Sequence, residues 1–180
     1  VARRHVHATV NDFGPAYQTL YAGDGGVYVC GPRGTGKTHL MAAIMRAMIL
    51  DQLQTARSIK MRPHPHEYPR MASTTDLLRE IRATFGGQGA ESESSIIERY
   101  GTYPILILDD LGAEQVTDWA LTTLYSLVDR RYRDMRRTFI TSNLSLADLS
   151  AQTSDRITSR IAEMCRVVRF TGVDRRLKRK

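Results

Sequence analysis

No stretch constrains this chain more than Gly31-Pro32-Arg33-Gly34-Thr35-Gly36-Lys37-Thr38, which matches G-x-x-x-x-G-K-[ST] in full. It lies between the apolar run Val27-Tyr28-Val29-Cys30 and a segment that reads as a helix from Lys37 to about Leu53. A strand, a glycine-rich turn and a helix in that order make an anion site. The turn points its backbone N–H groups inward, and the helix aims its positive end at the same place. Gly31, Pro32, Arg33, Gly34, Thr35 and Gly36 are therefore candidate phosphate ligands, with Lys37, Thr38 and His39 behind them. Lys37 is placed to reach the β- and γ-phosphates of a nucleotide, and Thr38 to offer its hydroxyl to Mg2+.

Such a site needs a carboxylate near the metal, at the end of a buried strand. Pro104 opens Ile105-Leu106-Ile107-Leu108, apolar on both faces as a central parallel strand would be, and Asp109-Asp110 follow directly. Asp109 is the candidate metal carboxylate and Asp110 the candidate base for an attacking water. On its own this motif is weak. Its position 72 residues after Lys37 strengthens it.

The rest of the chain alternates between the two periods, which predicts an α/β fold with a mostly parallel sheet. Met71-Ala72, Thr138–Thr141 and Val167–Phe170 read as further strands. Helices are expected from Ser73 or Thr74 to about Phe85, from Ser92 to Tyr100, from Asp118 to about Arg133 and from Asp155 to Met164. Residues 54–70, with Pro63, Pro65 and Pro69, read as a loop.

At 180 residues, 42% hydrophobic and 25% charged, the chain is long and apolar enough for one globular domain. No apolar run approaches the ~18 residues of a membrane span, and Val1-Ala2-Arg3-Arg4-His5 lacks a signal peptide's apolar core. Cys30 and Cys165 fall in apolar runs and read as reduced core thiols, which suits a cytoplasmic protein with no membrane partner. The net charge of +7 is local: residues 166–180 carry seven bases against Asp174 alone. Arg130, Arg131, Arg133, Arg136 and Arg137 gather at one helix end, where they are placed either to meet DNA or to offset the helix dipole.

Taken together, Gly31–Thr38, Ile105–Gly112, Thr141-Ser142-Asn143-Leu144, Asp155–Ile161 and Gly172-Val173-Asp174-Arg175-Arg176 fall in the order seen in AAA+ ATPases. More narrowly, the chain resembles the DnaC/DnaI-like replicative helicase loaders and the IstB-like transposition helpers over roughly residues 24–177. The resemblance implies a P-loop NTPase with an AAA+ core, a central parallel sheet flanked by helices, and a short or absent helical lid. It implies ATP with Mg2+, an Mg-dependent ATPase working as a homo-oligomer, and DNA with a replicative helicase or transposase as partners. It makes Asn143 the sensor-1 residue, Arg160 (or else Arg156) a finger reaching a neighbouring subunit's ATP, and Arg176 the sensor-2-type arginine. Residues 1–23 would be a short N-terminal extension, 24–171 the ATPase domain and 172–180 a basic tail. The loaders' N-terminal helicase-docking segment is expected to be missing or shortened here, since only about 26 residues precede the first strand. Two other readings stay open on the residues alone: a small-molecule P-loop kinase, and a nucleotide-switched binding module without turnover.

Overall fold

The structure is a computed structural model and describes residue 20 and residues 23–86, 91–113, 117–172 and 174. Five strands form one parallel sheet: β1 (Gly26–Cys30), β2 (Arg70–Ser73), β3 (Ile105–Leu111), β4 (Arg137–Ser142) and β5 (Cys165–Arg169). Their order across the sheet is β2-β3-β4-β1-β5. Among the described residues six α-helices flank them: α1 (Lys37–Ser58), α2 (Thr74–Arg82), α3 (Glu93–Thr102), α4 (Asp118–Arg133), α5 (Leu146–Gln152) and α6 (Asp155–Met164).

Side chains alternate across each strand, so two cores form. Val27, Val29, Ile107 and Phe139 face α1, meeting Leu40, Met41, Ile44 and Met48. Tyr28, Leu106, Leu108 and Ile140 face the other layer, where α2, α3, α4, α5 and α6 bring Leu77, Ile96, Leu124, Leu149 and Ile157. Burying strands on both faces is what the unbroken apolar run Ile105–Leu108 requires.

The boundaries differ from the expectation in instructive places. α1 runs on to Ser58, through residues read as loop, because no proline or glycine stops it before Ile59. Residues 40–44 are buried on all sides, but Leu50 beyond them is 55% exposed. Thr117, not Asp118, is the N-cap of α4, its hydroxyl accepting from the Ala120 amide. α5 was not anticipated. It is only seven residues long, closed by a capping box of Ser145 and Asp148.

Arg131 corrects the reading of a surface arginine cluster. It is fully buried, and it donates to the carbonyls of Tyr100, Gly101, Tyr103 and Arg137 and to the Thr138 hydroxyl, at 2.7 to 3.1 Å. Several of those carbonyls are ones that the end of α3 leaves without helical partners. One guanidinium thus ties α3, α4 and β4 together. Burial, with Arg136 beside it, pushes its pKa down to about 9. Arg137 donates to Leu20 O and Gly25 O, Arg130 pairs with Glu98 and Asp134, and Arg133 with Asp129.

Candidate nucleotide site

The site lies at the carboxyl end of the sheet, where β1, β4 and β3 stand side by side. β1 delivers the glycine-rich loop. Gly31 has φ 144°, and a Cβ there would run into the carbonyl of Phe170, whose amide donates to Cys30 O at 2.7 Å. Gly34, at φ 73°, lies against the Asp174 carboxylate, and a Cβ there would overlap it. Gly31 needs glycine for space and for conformation, and Gly34 for its conformation. Thr35 closes the loop by donating to Pro32 O at 2.9 Å. The N-cap of α1 is Gly36, so no side chain caps the helix, and no acidic residue stands in its first turn. A 22-residue helix thus presents its first-turn amides at the loop with no carboxylate of that turn competing for them. That is the local chemistry a phosphate fits.

Five of the expected residues around the loop form two hydrogen-bonded sets. Lys37 is only 6% exposed, and its ammonium donates to Gly31 O at 2.7 Å, Pro32 O at 2.9 Å and Asn143 Oδ1 at 2.9 Å. Asn143 in turn donates from Nδ2 to Asp110 Oδ1 at 2.8 Å. On the other side, the Thr38 hydroxyl donates to Asp109 at 3.0 and 3.2 Å. A hydroxyl and a buried carboxylate in contact are the hard oxygen donors that Mg2+ takes.

Adjacent Asp109 and Asp110 both serve this end because β3 is irregular there. Leu108 pairs with Ile140 and Leu111 with Ser142, so three steps of β3 oppose two of β4. Asp110 takes up the extra residue at φ 61°, the left-handed region, which Asp tolerates better than most side chains. Asp109 is buried and Asp110 is exposed.

Thr141 was missed by the sequence reading. Its hydroxyl donates to Asp109 Oδ1 at 2.7 Å and accepts from the Asp110 amide at 2.8 Å, so one side chain holds the Asp109 carboxylate and the Asp110 backbone. Thr74 adds a bond to Asp109 O at 3.2 Å, and Tyr28 steadies the following turn by donating to Leu144 O at 2.8 Å. Burial pushes the Tyr28 hydroxyl up to about 12, so it remains a donor. Only the position of Thr141 two residues before Asn143 on a strand end hinted at its role.

The remaining expected residues are dispersed. Pro32 and Arg33 are exposed on the loop, and His39 is half-buried in the first turn of α1. Arg156 is exposed at the start of α6. Arg160 is not brought to the loop of its own chain: its hydrogen bonds run to α4 and to its own helix. Arg176 lies outside the described residues. His64, in the proline-rich segment, spends its Nδ1 on the His66 amide.

A parallel sheet in the order β2-β3-β4-β1-β5, with the glycine-rich loop after β1 and a carboxylate pair near the end of β3, defines a P-loop NTPase of AAA+ architecture. Its overall shape is similar to the crystal structure of the DnaC helicase loader, with a TM-score of 0.76 over 94% of this chain and 99% of that one, at 21% identity. The model of the IstB-like ATP binding protein family matches residues 22–180, and the chain belongs to that family. Among curated relatives, the replicative helicase loader DnaI of Bacillus subtilis (strain 168) is 29% identical over 142 residues, covering 78% of this chain and 40% of that protein. The replicative helicase loader DnaC of Buchnera aphidicola subsp. Baizongia pistaciae is 26% identical over 131 residues, 73% of this chain and 48% of the relative. The chain therefore spans about half the length, or less, of these relatives. No described helix is long and apolar enough to cross a membrane.

Proposed function

We propose that this chain is the ATPase core of a helicase loader that acts on DNA during replication, with its ATP site completed by a second copy. The observation that carries the reading is the bonded chain Lys37–Asn143–Asp110 beside Thr38–Asp109, at the mouth of a loop with no carboxylate in the helix turn behind it. Lys37 holds the β- and γ-phosphates, and the loop amides of Gly31–Thr38 cradle them. Thr38 and Asp109 hold Mg2+, which when bound neutralises charge on the phosphate oxygens. Asp110 orients the attacking water and accepts its proton, and Asn143 aims Asp110. Arg160 from a neighbouring copy steadies the charge of the transition state, and a monomer accordingly turns over slowly.

For DNA, the arginine cluster at the end of α4 is mostly spent within the chain, so we place the contact elsewhere. Arg82 stacks 4.8 Å over the Trp119 ring, and Phe85, 57% exposed, meets the same ring edge-on at 5.3 Å. An exposed aromatic beside a stacked arginine suits unpaired bases.

The test is ATP turnover against protein concentration, with and without single-stranded DNA, for the wild type and Arg160→Ala. Turnover that rises faster than concentration, responds to DNA and collapses in Arg160→Ala is expected. Turnover linear in concentration and indifferent to Arg160 returns the chain to a monomeric P-loop enzyme. Membership of the IstB-like ATP binding protein family is compatible with one second reading, a transposition helper. Binding to a replicative helicase rather than to a transposase separates the two.

A further inference from the structure

Arg131 and Arg160 are both held by several hydrogen bonds, and they are held differently. Arg131 is fully buried and spends its donors on four backbone carbonyls and a threonine hydroxyl. Arg160, on α6, keeps 25% of its side chain exposed. Its Nε donates to Asp129 Oδ1 at 2.7 Å, Nη2 to the Tyr125 hydroxyl at 3.0 Å and Nη1 to Arg156 O at 3.2 Å. The guanidinium lies 4.8 Å from the Tyr125 ring centre and 5.6 Å from that of Tyr132. A guanidinium has five N–H groups, so each Nη keeps one that these bonds do not use.

Asp129 is suited to be the anchor. Its side chain is 19% exposed, and its other oxygen is ion-paired with Arg133 Nε at 3.0 Å. The carboxylate is thus itself fixed between two arginines, on the helix that packs beside α6. Gripping an arginine at Nε leaves the outer edge of its fork available. A long side chain held in this way loses little further freedom when it meets a phosphate. Donors set in place before charge develops are the ones that lower a barrier.

We propose that Asp129, with Tyr125, forms a positioning pair that holds Arg160 ready for the phosphates of ATP bound to a second copy of the chain. This rests on the finger reading above, and the experiment separates the two. The donor chain carries Lys37→Ala, which empties its own site and keeps Arg160. The acceptor chain carries Arg160→Ala and keeps its site. Mixing them creates junctions in which an intact site faces an intact finger, and ATP turnover is recovered. Adding Asp129→Ala to the donor is expected to cut the recovered kcat by about tenfold to a hundredfold, the scale of a misplaced catalytic group, with KM for ATP steady. Adding the same change to the acceptor, where no finger remains to be held, is expected to cost far less. Tyr125→Phe in the donor is expected to lower kcat by a smaller factor, about fivefold for one hydrogen bond.

Recovery with this donor-sided loss supports the pair. Full donation by the Asp129→Ala donor overturns the role of Asp129 and leaves the finger standing. Equal loss in donor and acceptor makes Asp129 a residue of the fold and overturns it too. No recovery in the unsubstituted mixture overturns both the pair and the shared site.

Discussion

Lys37 and Arg131 are both buried cations that donate to backbone carbonyls, yet they do opposite work. The carbonyls around Arg131 belong to α3, its exit and β4, elements that pack into the core. Those around Lys37 belong to a glycine-rich turn, and its third partner, Asn143, also grips Asp110. The first network has partners that cannot leave. The second has loop partners whose place, on the function proposed above, a bound phosphate would take. What distinguishes a structural cation from a functional one is therefore less its own burial than the freedom of what it touches.

The sharpest break in this comparison is Lys37→Ala. It is expected to lower ATP turnover by about a hundredfold or more, the cost of losing a preorganised charge at the transition state. Thermal melting should stay within a few degrees of wild type, since the loop carbonyls gain access to water. Arg131→Met should do the reverse. It leaves several buried carbonyls without this donor at about 1–3 kcal/mol each, so a loss of about 3–5 kcal/mol in urea unfolding is expected, along with poor soluble yield. An Arg131→Met protein that melts like wild type would undo the distinction.

Thr141→Val sits between the two regions, because it serves the site through the fold. It orphans the Asp110 amide and loosens the Asp109 carboxylate, for an expected loss of about 1–3 kcal/mol together with weaker Mg2+-dependent nucleotide binding. Calorimetry with and without the metal reads both. The smallest expected effect concerns Cys165, on the structural side. Burial pushes its thiol up to about 12 from an ordinary value near 9. The unfolded thiol ionises first, so this group costs stability as pH rises from about 9 toward 12 and contributes nothing below that window. Thiol reagents at pH 8 should label Cys165 only on unfolding.

The functional half of this comparison was legible in the chain, and the structural half was not. Gly31–Thr38 and Ile105–Asp110 announce themselves because their chemistry demands fixed residues at fixed spacing next to apolar runs. The alternation of periods was enough for the fold class. Asn143 and Arg160 needed the family resemblance, since a polar residue after a strand or an arginine on a helix has no local signature. Arg131 read as one of five surface arginines because nothing in Asp129-Arg130-Arg131-Tyr132-Arg133 marks which one points inward. Asp129 and Thr141 act through neighbours about thirty residues distant in sequence, and no window along the chain contains both partners. α5 did carry a signal, the Ser145…Asp148 capping box, but too few apolar residues follow it to make a period.

The irregular step in β3 has a consequence for how such a chain changes over generations. Deleting Asp110 would return β3 and β4 to even pairing and remove a non-glycine residue from left-handed backbone, a relief of about 1–3 kcal/mol. A lineage screened only for thermal robustness would accept that deletion. One screened for turnover would refuse it. The two adjacent aspartates are thus a place where selection for durability and selection for use pull against each other, at the length of a single codon.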